Sequence, residues 1–120
     1  MFKEILASMI HETEGCIGAI LVGSDGIPVE QYVRESETVH PDQVAVEMAG
    51  VLKEMKKAVG ILEIGELEEV SLATEKQNIL MRTVDADHFL ALVFAADGNL
   101  GKGRYVMRRD RIKILEELDS

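Results

Sequence analysis

The sequence predicts an α+β fold in which a five-stranded antiparallel sheet carries helices on both faces. The runs from Cys16 to Val22 and from Phe89 to Phe94 are almost entirely apolar, which is typical of strands covered on both sides. Segments with apolar residues at helical spacing lie before, between and after these runs. Because 120 residues suit one hydrophobic core, we expect a single domain over residues 1–120.

The N-terminal part predicts a helix followed by a β-hairpin. Apolar residues recur at helical spacing from Phe2 to Glu14, and Gly15 is expected to end this helix. The first apolar strand then leads into the tight-turn sequence Ser24-Asp25-Gly26, so the chain should return as a strand over Ile27 to Val33. Pro28 places this second strand at an edge of the sheet, because proline has no backbone donor.

The rest of the chain predicts one long helix, three strands and a closing helix. After a loop from Arg34 to His40, Pro41 opens a helix that runs to about Leu62. The following elements are expected at Leu67 to Ala73, Asn78 to Val84, His88 to Ala95 and Leu100 to Leu118. The element order is therefore α-β-β-α-β-β-β-α. Placing the apolar first and last strands centrally, and the more polar second and third strands at the edges, predicts the strand order 2-1-5-4-3.

Charge and composition exclude several classes of function. The 22 acidic residues outnumber the 13 basic ones, for a net charge of −9, whereas nucleic-acid binding needs a basic surface. No apolar run approaches the ~20 residues of a membrane helix, and the charged pair Lys3-Glu4 is unlike a signal peptide. The single cysteine, Cys16, is expected to be an unreactive core residue. We therefore expect a cytoplasmic protein that neither inserts into membranes nor binds nucleic acid.

The sequence contains no recognisable catalytic or metal-binding motif, and it predicts no cofactor. The three histidines, His11, His40 and His88, do not have the spacing of metal ligands. An acidic stretch could be imagined as a catalytic carboxylate pair, but we assign it to a solvated loop and strand edge because nothing apolar surrounds it. It comprises Glu63, Glu66, Glu68 and Glu69.

Two segments near the C-terminus invite an anion-binding interpretation. The first is Gly98-Asn99-Leu100-Gly101-Lys102-Gly103, since a glycine-rich turn that opens a helix can hold phosphate on its N–H groups. It lacks the spacing of phosphate-binding loops, so we favour close packing of strand against helix, with Asn99 as the helix cap. The second is a basic cluster, for which we favour a solvated helix face. Its members are Arg104, Arg108, Arg109, Arg111 and Lys113.

The long helix is the most informative element because its sides differ. At about 100° per residue, one side is an apolar stripe expected to cover the sheet. Its residues are Val44, Met48, Val51, Leu52, Met55, Val59 and Leu62. Ala45 and Ala49 lie beside the stripe, where small side chains would let a second helix approach closely. The opposite side is a candidate contact surface for a partner protein, formed by Val46, Gly50, Lys53 and Lys57.

Several of these segments, taken in order, resemble the Roadblock/LC7 domain family. The first hairpin carries the resemblance in Gly18-Ala19-Ile20-Leu21-Val22 and Asp25-Gly26-Ile27-Pro28-Val29. It continues through Glu69-Val70-Ser71-Leu72, Ile79-Leu80-Met81 and Asn99-Leu100-Gly101-Lys102-Gly103-Arg104-Tyr105. No single motif is specific, but the ordered set spans essentially the whole chain. Within the family, the sequence looks most like the bacterial mutual-gliding protein B type, which acts on a Ras-like GTPase.

The resemblance implies a profilin- or longin-like fold, a homodimer and a regulatory function. In the family, two domains pair edge strand to edge strand, and their second helices lie side by side. Here that arrangement would place in the dimer interface Ala45, Ala49, Glu69, Val70, Ser71 and Leu72. The paired helices resemble a docking platform for the switch region of a Ras-like small GTPase. Such a regulator needs no catalytic site, because it can act by favouring one state of its partner.

Two other functions remain open at this point. A structural adaptor would be a similar dimer that tethers a motor, a chemosensory protein or a membrane-bound complex without affecting nucleotide chemistry. A small-ligand sensor is also conceivable, since profilin-like and PAS-like folds share an α/β build of this size. A closed apolar pocket would favour the sensor, whereas binding that depends on the bound nucleotide would favour the GTPase regulator.

Overall fold

The computed structural model describes residues 1–34 and 38–120, so the predicted loop from Arg34 to His40 lies partly outside the described residues. The helices are α1 (Phe2–Glu12), α2 (Pro41–Leu62) and α3 (Leu100–Asp119), and the strands are β1 (Cys16–Gly23), β2 (Pro28–Val33), β3 (Glu69–Ala73), β4 (Gln77–Asp85) and β5 (His88–Ala95). Each predicted element is confirmed. The largest differences are at the end of α1 and the start of β3, which are each two residues shorter than predicted.

The strands form one antiparallel sheet in the order β2-β1-β5-β4-β3, which confirms the predicted order and fold class. β1 and β5 pair at its centre, with Ile20 opposite Ala91 and Leu21 opposite Leu90. Nearly every residue of these two strands is buried. Their continuously apolar sequences follow from this position, because a central strand is covered by helices on both sides.

Side chains of the central strands alternate between two hydrophobic clusters on opposite faces of the sheet. Leu21, Leu92 and Phe94 belong to the cluster beneath α1 and α3. Ile20 and Ala91 belong to the cluster beneath α2. One face of the sheet is thus covered by α2, and the other by α1 and α3 together. None of these helices combines the length and apolar character that crossing a bilayer requires.

Two glycines fix the end of α1 to the start of α3. Gly15 has a φ of +79°, and a Cβ atom there would lie 2.4 Å from the Cα atom of Gly98. Backbone hydrogen bonds close the contact on both sides. The Ala95 amide donates to the carbonyl of Gly15, and the Asn99 amide donates to that of Glu14, each at 2.8 Å. Because no side chain fits at this crossing, both positions require glycine.

The glycine-rich segment before α3 packs tightly against one buried aromatic ring. A Cβ atom on Gly98 would lie 2.8 Å from Cδ2 of Phe94, and one on Gly103 would lie 2.5 Å from its Cζ. The Asn99 side chain accepts a hydrogen bond from the Lys102 amide at 3.0 Å and so caps the helix. These contacts confirm the prediction that the glycines serve close packing, with Asn99 as the cap.

Candidate functional site

The side of α2 that points away from the sheet is accessible, as predicted. Val46 exposes 57% of its surface, and no atom of the described residues lies within 4 Å of a Cβ built on Gly50. Lys53 and Lys57 are also exposed. We call these four residues the outward face. Its exposure is confirmed, whereas its binding to a partner remains a prediction.

Ala45 and Ala49 of α2 contact the body of their own chain. Ala45 is fully buried in the cluster beneath α2. Ala49 lies against the turn between β1 and β2. A Cβ built on Gly26 in this turn would lie 3.6 Å from the Cβ of Ala49 and 3.3 Å from the Cα of Val46. The prediction that these alanines admit a second helix is therefore wrong for Ala45, which has no surface left for a partner. Their small size instead brings α2 close to the sheet and to this turn.

A groove of about 290 Å³ lies between α2 and the turn ends of the sheet. Its floor is apolar, since Leu52 and Phe89 are each only 3% exposed, and its rim carries the ammonium groups of Lys53 and Lys56. Lys56 is not among the residues predicted from the sequence, although its place three residues after Lys53 puts the two on the same side of a helix. The groove extends the outward face toward the sheet, and we call it the side groove.

A histidine–carboxylate pair lies beside the side groove, with His88 of β5 lining its wall and Asp85 at the end of β4. Nδ1 of His88 lies 2.9 Å from Oδ1 of Asp85. Burial tends to raise the pKa of Asp85, but hydrogen bonds from His88 and from the Asp87 amide outweigh this effect, so the pKa lies below its ordinary value. The hydrogen bond between Nδ1 of His88 and Asp85 therefore fixes the orientation of the His88 ring at the groove.

A second side of α2 is apolar but only partly covered. Val44, Met48, Val51, Met55, Ala58 and Leu62 follow one another at alternating spacings of four and three residues. Met48 is only 8% exposed, whereas Met55 and Leu62 are 40% and 64% exposed. We call these six residues the apolar seam. Val44 and Met48 line a groove together with Ile79 of β4, so the seam lies on the side of α2 that is nearer to β4 and β3.

The apolar seam corrects the prediction that one stripe of α2 covers the sheet. Residues Ala45, Met48 and Leu52 are the buried ones, whereas Val51, Met55 and Leu62 are exposed. The helix is rotated about its axis relative to the prediction, because the small Ala45 faces the sheet and permits a close approach there. Part of the predicted stripe is consequently left on the surface.

The edge strand β3 continues this partly covered apolar region. Val70 packs against the cluster beneath α2, and Leu72, on the same side of the strand, is 41% exposed. Glu69 points to the other face, where its carboxylate accepts a hydrogen bond from Arg104 at 2.8 Å and lies 3.5 Å from Arg82. The Glu69 side chain is therefore committed within the chain, and only its backbone remains for pairing with another strand.

The residues considered for catalysis or metal binding are dispersed. Within residues 1–34 and 38–120, no three histidine, cysteine, aspartate or glutamate side chains are grouped closely enough to hold a metal ion. Of the acidic stretch, Glu63, Glu66 and Glu68 are exposed. Burial raises the pKa of the Cys16 thiol to about 12, so this thiol is protonated at neutral pH.

Comparison with known proteins identifies the family. The Roadblock/LC7 domain model matches residues 2–94. MglC from Myxococcus xanthus is 36% identical, with 97% of this chain and 98% of that chain covered and a TM-score of 0.70. No curated protein sequence shows significant similarity to the chain.

Two further solved structures share the fold at lower identity. An MglB described as having a tetrameric arrangement is 21% identical, with 91% of this chain and 81% of that chain covered and a TM-score of 0.82. Profilin II from Acanthamoeba castellanii is 14% identical, with 96% and 94% covered and a TM-score of 0.60. The profilin-like fold and the resemblance stated from the sequence are thereby confirmed, and the chain belongs to the Roadblock/LC7 domain family.

Proposed function

We propose that this single domain is a homodimeric regulatory partner of a Ras-like small GTPase, without a catalytic site of its own. The observation that carries the proposal is the outward face, where an apolar residue, a glycine and two lysines remain accessible on a helix that packs its opposite side on the sheet. Roadblock/LC7 domains are non-catalytic regulatory domains, and the notable resemblance to MglC and MglB favours a partner related to theirs.

The proposed dimer joins two chains through β3 and the apolar seam. Among residues 1–34 and 38–120, strand β3 pairs on one side only, with β4, so its other edge is open to a second chain. The alternating spacing of the seam is that of helices that pack side by side. Pairing through the backbone of Glu69, Val70, Ser71 and Leu72 would bring two seams together and cover them. The tetrameric arrangement of a related MglB supports self-association as a property of this fold.

Sedimentation equilibrium tests the dimer. The wild type should show about twice the chain mass of 13.3 kDa at micromolar concentration. Met55→Glu should shift the mass toward the monomer, because it places a charge in the centre of the seam. Ile27→Glu is the matched control, since Ile27 is 63% exposed but lies in the turn before β2, away from the seam. A monomeric wild type, or an unchanged dimer in Met55→Glu, would contradict the proposed interface.

Binding to GTPases of the host, loaded separately with GDP and with a GTP analogue, tests the function. Val46→Glu and Gly50→Glu should each weaken binding by about 2 kcal/mol, roughly thirtyfold, if they lie at the centre of the contact. Gly101→Glu is the matched control, because Gly101 is also an exposed glycine within a helix but lies in α3, on the opposite face of the sheet from the outward face. Circular dichroism should show that all three variants remain folded.

The outcome also separates the regulator from the adaptor. A regulator should change GTP hydrolysis or nucleotide exchange by its partner, and should prefer one nucleotide state. Equal binding to both states with unchanged hydrolysis and exchange would assign the chain to the adaptor class. Wild-type affinity in Val46→Glu and Gly50→Glu would remove the outward face from either mechanism. Hydrolysis of GTP by the chain alone would contradict the absence of a catalytic site.

A further inference from the structure

Positive charge is concentrated on α3, at the face of the sheet opposite α2. Six of the 13 basic residues lie between positions 102 and 113, where Asp110 is the only acid. This segment therefore carries a formal charge of +5, and the remainder of a chain with net charge −9 carries −14. A charge separation of this size within one small protein creates a positive surface that attracts anionic groups.

The one acid of this segment contributes little negative charge to the surface. Asp110 is 1% exposed and points into the core side of α3. Its two carboxylate oxygens accept hydrogen bonds from Nε and Nη2 of Arg109 at 2.8 and 2.9 Å. Four of the basic residues already have an intramolecular partner. Arg104 forms an ion pair with Glu69, and Arg109 and Lys113 form ion pairs with Asp110. Arg111 donates a hydrogen bond to the Val84 carbonyl.

The outermost line of α3 combines apolar and basic side chains. Tyr105 and Ile112 are 55% and 63% exposed, and Arg108 is exposed between them. Two cations flank the tyrosine ring, with Lys102 Nζ at 5.1 Å and Arg109 Cζ at 5.6 Å from its centroid. Among the described residues, Lys102 and Arg108 have no carboxylate within ion-pair distance. We call Lys102, Tyr105, Arg108, Arg109 and Ile112 the basic ridge.

We propose that the basic ridge docks an acidic amphipathic α-helix of another protein. Tyr105 and Ile112 are seven residues apart, or roughly 10.5 Å along the helix axis. Apolar residues of a partner helix recur at the same interval, so two of them can contact Tyr105 and Ile112 together. Carboxylates beside those apolar residues would then meet Lys102 and Arg108, the two cations of the ridge that have no carboxylate partner among the described residues.

The surroundings of the ridge favour a protein over an anionic membrane. Glu116 and Asp119 are exposed on the last turns of α3, and Asp97 is exposed just before its start. A lipid surface broad enough to contact the ridge would bring these carboxylates close to anionic headgroups. Glu116 and Asp119 continue the line of Ile112 at spacings of four and seven residues, and a partner helix that ends beside Ile112 contacts the ridge without reaching them. The ridge and the outward face lie on opposite sides of the sheet, so the acidic helix and the partner of α2 can bind at the same time.

The probe for this proposal is a synthetic amphipathic peptide of about three heptads, with leucine at the first and fourth positions and glutamate beside them. Titration into the full-length ¹⁵N-labelled chain should shift amide resonances along α3, and binding should weaken as salt is raised to ~0.15 M. A peptide with glutamine in place of glutamate should bind at least about tenfold more weakly, because the charge complementarity is lost.

Matched variants locate the contact. Arg108→Glu and Ile112→Ser should each lower affinity for the acidic peptide about tenfold. Lys76→Glu makes the same charge change at an exposed site between β3 and β4, and Ile27→Ser removes an isoleucine with the same 63% exposure as Ile112. Both controls should bind within about twofold of the wild type.

Three results would overturn the proposal. The first is no binding of the acidic peptide at low ionic strength, or binding that Lys76→Glu weakens as much as Arg108→Glu does. The second is that the peptide does not bind but phosphatidylglycerol vesicles do, and that Arg108→Glu abolishes the vesicle binding. That result would assign the ridge to a lipid surface. The third is a change in sedimentation mass caused by Arg108→Glu, which would assign it to contact between copies of this chain.

Discussion

Alanine substitutions at two helical glycines should have opposite effects on stability. In α3, a Cβ at position 103 would lie 2.5 Å from Cζ and 3.2 Å from Cε2 of Phe94, a ring that is fully buried. In α2, a Cβ at position 50 would meet no atom within 4 Å in the part of the chain that the structure describes. Both glycines lie within helices, so Gly103→Ala and Gly50→Ala share the gain in helix propensity and differ in packing alone.

The expected magnitudes follow from these contacts. Alanine in place of glycine favours a helix by up to about 1 kcal/mol, and Gly50→Ala should show most of this as added stability. Gly103→Ala gains the same amount but overpacks the core, at a cost of about 1–3 kcal/mol. Because a contact of 2.5 Å on a ring held on all sides requires a shift of Phe94 or of α3, we expect the upper part of that range. The net loss should be on the order of 1–2 kcal/mol.

Urea denaturation followed by circular dichroism measures both changes. Gly50→Ala should raise the midpoint and Gly103→Ala should lower it, with similar slopes in the two variants. In thermal unfolding, a separation of 2–3 kcal/mol corresponds to roughly 10 °C in Tm for a domain of this size. Equal stabilisation by the two substitutions would show that Phe94 yields easily and would refute the reasoning. Weaker GTPase binding by the stabilised Gly50→Ala would separately indicate close backbone approach at the outward face.

Three further predictions concern buried polar groups. Burial tends to raise the pKa of Asp110, but the hydrogen bonds and charge of Arg109 outweigh it and the pKa lies below its ordinary value. The ionised Asp110 therefore stabilises the fold above about pH 4, and this stabilisation is lost as the pH falls through the lowered pKa. In urea titrations, the free energy of unfolding of Asp110→Asn should therefore decrease less with falling pH than that of the wild type. Cys16 should react with a thiol reagent at pH 8 only after unfolding, because its pKa of about 12 and its burial protect it, and fast reaction of the native chain would contradict this. Arg34 donates to the Cys16 carbonyl at 2.9 Å and to the Ile10 carbonyl at 3.1 Å, so Arg34→Ala should lower the free energy of unfolding by about 1–3 kcal/mol in urea titrations.

The fold could be predicted from the sequence because its strongest signals are local. The apolar runs of β1 and β5 identify the central strands, and the turn sequences and prolines limit where chains can reverse. Once these two strands are central, few orders of five strands remain. The cap role of Asn99 followed from its place before a helix, and the structure shows the bond.

The rotation of α2 could not be predicted in the same way. The residues from Val44 to Leu62 offer two overlapping apolar sides, and periodicity alone does not show which one faces the sheet. The side that faces the sheet is the one that contains Ala45, because its methyl group lets the helix approach closely. This could not be predicted from the sequence, because a small residue can equally well face a neighbouring helix. The bond between Glu69 and Arg104 was missed for another reason, since it joins elements 35 residues apart in sequence.

The central position of β1 also affects how the chain emerges during synthesis. Between the end of β1 at Gly23 and the start of β5 at His88, 64 residues must be made. At about 5–20 residues per second, the ribosome needs roughly 3–13 s for this interval. Throughout that time β1 can pair with β2 alone. The helix α1 is already made and covers part of one apolar surface, but the other edge of β1 waits for β5, and full cover of its surfaces waits for α2 and α3. This nascent hairpin is the segment that most needs a holding chaperone, and yields of folded protein should rise when translation is fast relative to aggregation.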